Sequence, residues 1–434
     1  MTTLRLCYNP SAVLKRLPIL LILSLVLLSC GTPETSATST PGVAQTEVAT
    51  PTTPPTTSPP SAPTTFTLWV PPYLSPETQA GALFHDHVET FAQSYAGVSF
   101  SVRIKRESGP GGLLETLASA SAAAPSTLPD ILALDAASLE AAAYQGLIIP
   151  LEDLLPETIL QDLYDHAFLA AEADGVVYGL PFASDALVLA YRLDLYASPP
   201  TTWSELNDGP APFIFPAGDT TAEFTLAQYL SLNGPLNDGE GNLTLDPGIL
   251  ADVLTFIRSL RTAGVIQLSS LQYDTPDETW QAMLEGRAAS ALAPFSSFMA
   301  QHNPSINLAL PLPTRAGRGL SFSETWSWAV VAQDPTRQEI AIELLQWLSE
   351  PTFLATLTYD LGFLPSSSAA LGAWPDDANA SVASQLVLVS RPALSEEILN
   401  TFGPVLQISV DAVIRGTQTP EEAALAAQQA IENP

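Results

Sequence analysis

The sequence predicts an α/β fold of two lobes, each a mostly parallel sheet flanked by helices. Three observations lead there. With 434 residues, 46% of them hydrophobic, the chain can bury a large core, and at roughly 100–200 residues per domain it divides into two lobes plus tails. From Phe66 onward, stretches in which apolar residues alternate take turns with stretches of helical periodicity. The second half keeps that character, and no repeat of roughly 20–50 residues points to a solenoid.

Residues 1–29 read as an export signal. Arg5, Lys15 and Arg16 give a basic start, and Leu17 to Leu28 is apolar, interrupted by Pro18 and Ser24. A helix needs about 20 residues to cross a bilayer, so this shorter run fits the core of a secretory signal. Leu27-Leu28-Ser29-Cys30-Gly31 resembles the lipobox of bacterial lipoproteins, which implies cleavage before Cys30 and a lipid on its thiol. Cys7 is lost with the signal, so the mature chain has no second cysteine for an internal disulfide. Residues 30–65 hold the cysteine and a linker with stretches such as PTTPPTTSPPSAPTT. That composition buries no apolar face, and its prolines favour extended chain, so the segment reads as a tether.

The body opens with Phe66, Leu68 and Val70 alternating with Thr67 and Trp69, a strand. Ser75-Pro76-Glu77 predicts a helix start with a serine cap, proline in the first turn and an acid at the positive end, running to about Tyr95. Val98, Phe100, Val102 and Ile104 predict a second strand, residues 112–123 a second helix, and residues 130–134 a third strand. Short links between such elements indicate a parallel sheet with covering helices. Further on, residues 251–263 read as a helix. Asp334-Pro335 starts another, with Ala341, Leu344, Leu345 and Leu348 on one face and Pro351 as its stop. Thr419-Pro420-Glu421-Glu422 is a capping box before an alanine-rich helix.

Charge narrows the partners. The chain has 15 basic and 45 acidic residues, and removal of the signal leaves a formal charge of −33. Such a surface repels nucleic acid and anionic membranes.

Five segments then carry a resemblance. They are residues 128–155 (LPDILALDAASLEAAAYQGLIIPLEDLL), 176–206 (VVYGLPFASDALVLAYRLDLYASPPTTWSEL), 283–298 (MLEGRAASALAPFSSF), 311–371, which contains SETWSWAV, and 416–431 (GTQTPEEAALAAQQAI). In this order they resemble the family of extracellular solute-binding proteins that includes the maltose-binding protein. The resemblance implies a two-lobed periplasmic-binding-protein-like fold of type II, closing on its ligand by a hinge. It implies lobe 1 over residues 66–180 plus 312–350 and lobe 2 over 181–311 plus 351–434, with crossings near Gly179-Leu180-Pro181, Pro311-Leu312-Pro313 and Glu350-Pro351. It also implies a monomeric receptor, exported and lipid-anchored at Cys30, that passes a carbohydrate to the membrane permease of an ABC importer without a cofactor.

A sugar needs aromatic plates for its faces and carboxylates, amides or arginines for its hydroxyl rim. Trp69 and Tyr73 lie at and just after the end of the first strand, where open α/β sheets bind ligands; Trp69 suits the core equally well. Asp135 ends the third strand. Asp185, in Asp185-Ala186-Leu187, matches a ligand-contacting acid of the family, as a hydroxyl acceptor. Phe295 stands where the family often has a stacking Trp, and keeps a ring without the indole donor. Trp326 and Trp328 alternate, so one of them faces the ligand; Trp326, with Ser323 and Glu324 nearby, is the choice here.

Weaker signals have plain readings. Ser108-Gly109-Pro110-Gly111-Gly112 can present backbone N–H groups or form a simple turn. Asn237 to Asn242 has calcium-like oxygen spacing without the closing glutamate, and reads as a hairpin turn. His85 and His87 point to different faces of one helix, which disfavours a metal. The rival ligands for this fold are a polyamine, another cation or an anion. The rival class is an exported glycoside hydrolase, whose paired carboxylates are defined by spatial separation. The sequence has no Gly-x-Ser-x-Gly elbow, no His-Glu-x-x-His and no cysteine nucleophile after cleavage, so a receptor rather than an enzyme is expected.

Overall fold

A computed structural model describes residues 64–303 and 307–432. The export signal 1–29, Cys30 and the linker through residue 63 lie outside the described residues. The strands are β1 (Thr64–Val70), β2 (Val98–Ile104), β3 (Ile131–Asp135), the short β4 (Glu172–Ala173) and β5 (Val176–Val177), and β6 (Gly179–Arg192). They continue with β7 (Phe213–Ile214), β8 (Ser290–Pro294), β9 (Asn307–Pro311), β10 (Ser321–Val330), β11 (Leu364–Pro365) and β12 (Ser390–Pro392).

One sheet runs β2-β1-β3-β10-β6-β8-β7, with β9 and β11 also on β6 and β12 on β10. β1 is parallel to both β2 and β3, as short strand–helix–strand links dictate. β10 enters antiparallel between β3 and β6. Phe66, Leu68, Trp69 and Val70 are all buried, because helices cover both faces of β1.

Two bodies of core share this sheet. The first gathers β1, β3, the near half of β6, the far half of β10 and the helices Gln79–Ala92, Leu113–Ala123, Ala136–Tyr144 and Pro335–Leu348. The second lies on both faces of the far half of β6. Leu187, Leu189 and Tyr191 pack on the side of the helices Pro247–Thr262 and Glu396–Arg415. Ala186, Val188 and Ala190 pack on the other side, against Trp280, Phe295 and Phe298. Along β6 the change of core falls between Ala183 and Ala186, and along β10 between Phe322 and Trp326. Leu312 and Leu320 belong to the second core, so the chain leaves that core well after Pro311-Leu312-Pro313. The prolines there end β9 and frame the Leu312–Leu320 bridge that leads back into β10.

Local chemistry moved two boundaries. The first helix starts at Gln79 with Thr78 as cap, its Oγ1 accepting from Gly81 N at 2.9 Å. Ser75 instead closes a single turn over Pro72–Leu74, and its carbonyl accepts from the Thr78 hydroxyl. Pro351 opens a new helix, Pro351–Leu361, rather than only stopping the one before it. Glu350 caps it by accepting from Phe353 N at 2.7 Å, and proline suits the first turn. The capping box at Thr419 and Glu422 forms with both reciprocal bonds, at 2.9 and 3.2 Å. Among the described residues, no helix is long and apolar enough to cross a membrane.

Candidate functional site

The two strands that pass from one core to the other carry the charge. On β6 and β10, Glu324 pairs with Asp185, and Trp326 pairs with Ala183. Trp326 also pairs with Asp135 across β3. Paired residues in a ladder share a face, and residues two apart along a strand share it too. Asp135, Ala183, Asp185, Glu324 and Trp326 therefore stand on one side of the sheet, with only the small Ala183 between the polar groups. Ser184 and Thr325 point to the opposite side, where their hydroxyls meet at 2.9 Å.

Aromatic rings border this face. Tyr73, in the turn after β1, meets Trp326 edge-on at 5.4 Å and Phe363 at 5.3 Å. The Tyr73 hydroxyl is buried without a hydrogen-bond partner. Burial raises its pKa well above the ordinary value, and the charges of Glu107, Glu324 and Asp135 add to the rise. Glu107 follows β2 just as Tyr73 follows β1 and Asp135 ends β3, so three adjacent parallel strands deliver these groups from their carboxyl ends.

The carboxylates feel one another. Asp185 is pushed up to about 6 by burial, with Asp277 adding to the effect. Its oxygens accept from Ser296 N at 3.0 Å and from the Ser296 hydroxyl, which hold it down in part. Glu324 rises to about 7 through burial, then through Asp135, Asp185 and Glu107. Glu223, in the first turn of the helix Glu223–Ser231, rises to about 7 through burial, then Asp219, Glu324 and Asp185. Glu107 is raised by burial and by Asp135. Glu324 is nonetheless open to solvent.

The other predicted residues have firm positions. Asp135 caps the helix Ala136–Tyr144, accepting from Ser138 N and its hydroxyl, both at 2.8 Å. Trp69 is 2% exposed, with its indole nitrogen unpartnered and the Lys105 ammonium 4.8 Å above its ring. Phe295 is fully buried against Phe298. Both rings are core, as is that of Trp326 at 5% exposure; the residue that reaches Asp185 from the helix Phe295–Gln301 is Ser296. Trp328, 1% exposed, stacks on Phe84 and Phe182, and Trp326 meets Tyr73; β10 pairs with β3 without interruption through both, so the two indoles stand on one face of the strand and do not point to opposite sides.

Glu107, Glu223, Ser296 and Phe363 join the group without having been read from sequence. The glycine cluster after Glu107 forms a turn whose Gly112 caps the next helix. Asp238 folds the segment 237–242 into a hairpin turn by accepting from Glu240 N and Asn242 N. His87 lies flat between Phe353 and Trp347. Among the described residues, no group of His, Cys, Asp or Glu is close enough together to hold a metal ion. A separate cavity of about 760 Å³, bordered by Leu180, Pro181, Trp347, Glu350 and Ser366, shares no lining residue with the carboxylate face.

Residues 87–382 match the family model for bacterial extracellular solute-binding proteins. No curated protein matches. Among solved structures, the cyclic α-maltosyl-1,6-maltose binding protein of Arthrobacter globiformis is 20% identical, with 85% of this chain and 98% of that one covered and a TM-score of 0.68. The sugar-binding protein MalE of Xanthomonas citri is 19% identical over 85% and 97%, at a TM-score of 0.69. MalE of Listeria monocytogenes, in complex with maltose, is 17% identical over 86% and 98%, at 0.65. At such identities the likeness is one of fold, two lobes built on α/β sheets.

Proposed function

The chain belongs to the family of bacterial extracellular solute-binding proteins, and from that premise we propose that it is the carbohydrate receptor of an ABC importer. Its ligand lies between the lobes, on the face that carries Asp135, Asp185, Glu324, Trp326 and Tyr73. The observation that carries this reading is the pairing of Glu324 with Asp185 at the point where two strands change core. Groups on such strands contact a ligand from both lobes, so binding favours the closed form by its differential affinity. Carboxylates suit sugar hydroxyls as acceptors, and the partly exposed Tyr73 ring, backed by the buried Trp326, suits the apolar face of a pyranose. Sugar-binding structural neighbours support the ligand class.

Lobe 1 is drawn over residues 66–180 plus 312–350 and lobe 2 over 181–311 plus 351–434. Core membership supports shifting the first two crossings to 183–186 and 322–326. The receptor is exported and held at the outer face of the membrane by lipid on Cys30, acts as a monomer, and hands its ligand to a permease. Mass analysis of the mature N-terminus tests the anchor, and a lipid-free Cys30 would remove it.

Titration calorimetry of the full chain against maltose, maltotetraose and other neutral oligosaccharides tests the receptor reading. Saturable binding of any saccharide, without hydrolysis, is the expected result. Turnover would make the Asp185–Glu324 pair a glycosidase site, and binding of polyamines alone would overturn the carbohydrate assignment.

A further inference from the structure

Strand register puts the carboxylates of Asp135, Asp185 and Glu324 on one face of the sheet, with no cation among their partners in the ladder; the charge of Asp135 also acts on Glu107, and those of Asp185 and Glu324 on Glu223. Among the described residues, the ion-paired arginines are Arg192, Arg287, Arg315, Arg337 and Arg415, and none of their partners is one of these five. Lys105, the nearest lysine in sequence, sits over the Trp69 ring instead. The face therefore gathers negative charge with no counter-charge in an ion pair. A second, independent feature borders it: the Tyr73 hydroxyl is buried without a hydrogen-bond partner, on a ring that meets Trp326 of this face edge-on at 5.4 Å.

A neutral sugar can accept this geometry but cannot answer the charge. Its hydroxyls donate hydrogen bonds to carboxylates, yet lobe closure would still strip water from several like charges at once. A metal ion is a poor answer, because these groups are too dispersed to close around one. A larger organic cation fits better. An ammonium on a sugar ring can donate to several carboxylates, and an aromatic ring such as the partly exposed Tyr73 attracts cations to its face.

We propose that the cleft selects a saccharide bearing a protonated amine, which Glu324, Asp185 and their acidic neighbours neutralise beside Tyr73. The inference rests on the carbohydrate reading and narrows it.

The test compares ligands that differ only in charge. Calorimetry of the full chain at pH 7 would use the glucosamine tetramer, the N-acetylglucosamine tetramer, maltotetraose and spermidine. The glucosamine tetramer should bind at least about tenfold tighter than its acetylated counterpart, and added salt should shrink that gap. Glu324→Gln, which keeps the shape and removes the ionisable carboxyl, should narrow the preference while leaving the melting curve cooperative. Equal or tighter binding of the acetylated tetramer or maltotetraose would overturn the inference and leave the carbohydrate receptor standing. Binding of spermidine with no saccharide bound would overturn both.

Discussion

Glu324 of β10 faces Asp185 of β6 in direct antiparallel register, so two carboxylates share one face where both strands change core. Like charges placed opposite each other in a ladder destabilise it. The arrangement is thus costly for the empty protein. It is the kind of local conflict that marks functional positions in otherwise consistent sequences.

The pH response of the free protein follows from this pair. Asp185 stands at about 6, and Glu223 and Glu324 at about 7, all above the ordinary carboxylate range. The folded state therefore holds protons that the unfolded chain gives up. Their contribution to stability is fully present below the unfolded pKa, near 4, and is lost as pH rises through 6 to 7. Glu324→Gln should stabilise the protein at pH 8 by about 1 kcal/mol, a figure discounted for the solvent access of Glu324, and have little effect at pH 4. Urea melts at the two pH values check it; equal effects at both would show that the pair does not titrate as described.

Tyr73→Phe separates stability from binding. The hydroxyl is buried without a partner, so its removal should relieve about 1 kcal/mol of desolvation in the empty protein. If the hydroxyl meets the ligand, affinity should fall at the same time. Thermal melting with and without saccharide reads both. A loss of stability in the empty protein would mean that the hydroxyl has a partner in solution.

How far the site could be read from sequence depends on which contacts make it. Asp185, Glu324 and Trp326 lie in segments whose local pattern resembles the family, and Asp135 ends a strand visible from its apolar run. Glu223 and Glu107 have no such signal. Glu223 is carried in by a loop in which Asp219 accepts from Thr221 N and Ala222 takes φ 49°, a conformation that short patterns do not reveal. The meeting of Trp326 with Asp135 is set by strand order, because β10 inserts between β3 and β6. Phe295 illustrates the limit of one-residue precision. Pro294 starts a helix there, which turns Phe295 into the core and leaves Ser296 to bond Asp185. The parallel start of the sheet was legible because alternation and short links act locally, whereas prolines mark strand ends as readily as hinges.

Arg337 should matter for folding and not for the ligand. Its guanidinium grips Asp130 through two bonds of 2.6 Å and donates to Thr65 O at 2.8 Å. Asp130 is 3% exposed and also accepts from Thr67 N at 2.7 Å. Arg337→Met would leave a buried carboxylate without its cation, at a cost of about 3 kcal/mol in urea unfolding. Saccharide affinity of the folded variant should be unchanged. A cost near zero would mean that Asp130 is satisfied by its backbone bond alone.

His166 sets the opposite response to acid. It is 1% exposed, both ring nitrogens lack partners, and burial lowers its pKa to about 4, with Asp165 opposing in part. Here the folded state disfavours the proton that the unfolded chain takes up near 6.5. The stability of the neutral ring is present above 6.5 and is lost as pH falls toward 4, by roughly 3 kcal/mol at the lower end. His166→Leu removes both the titration and the two unsatisfied nitrogens. The variant should therefore be at least as stable as the parent at pH 7, and should lose less stability on going to pH 4.5. Because the cleft carboxylates gain stability over the same interval, the parent's own profile mixes the two effects. The difference between variant and parent, measured by urea melts at each pH, isolates the histidine. A constant difference would mean that His166 finds a hydrogen-bond partner once folded.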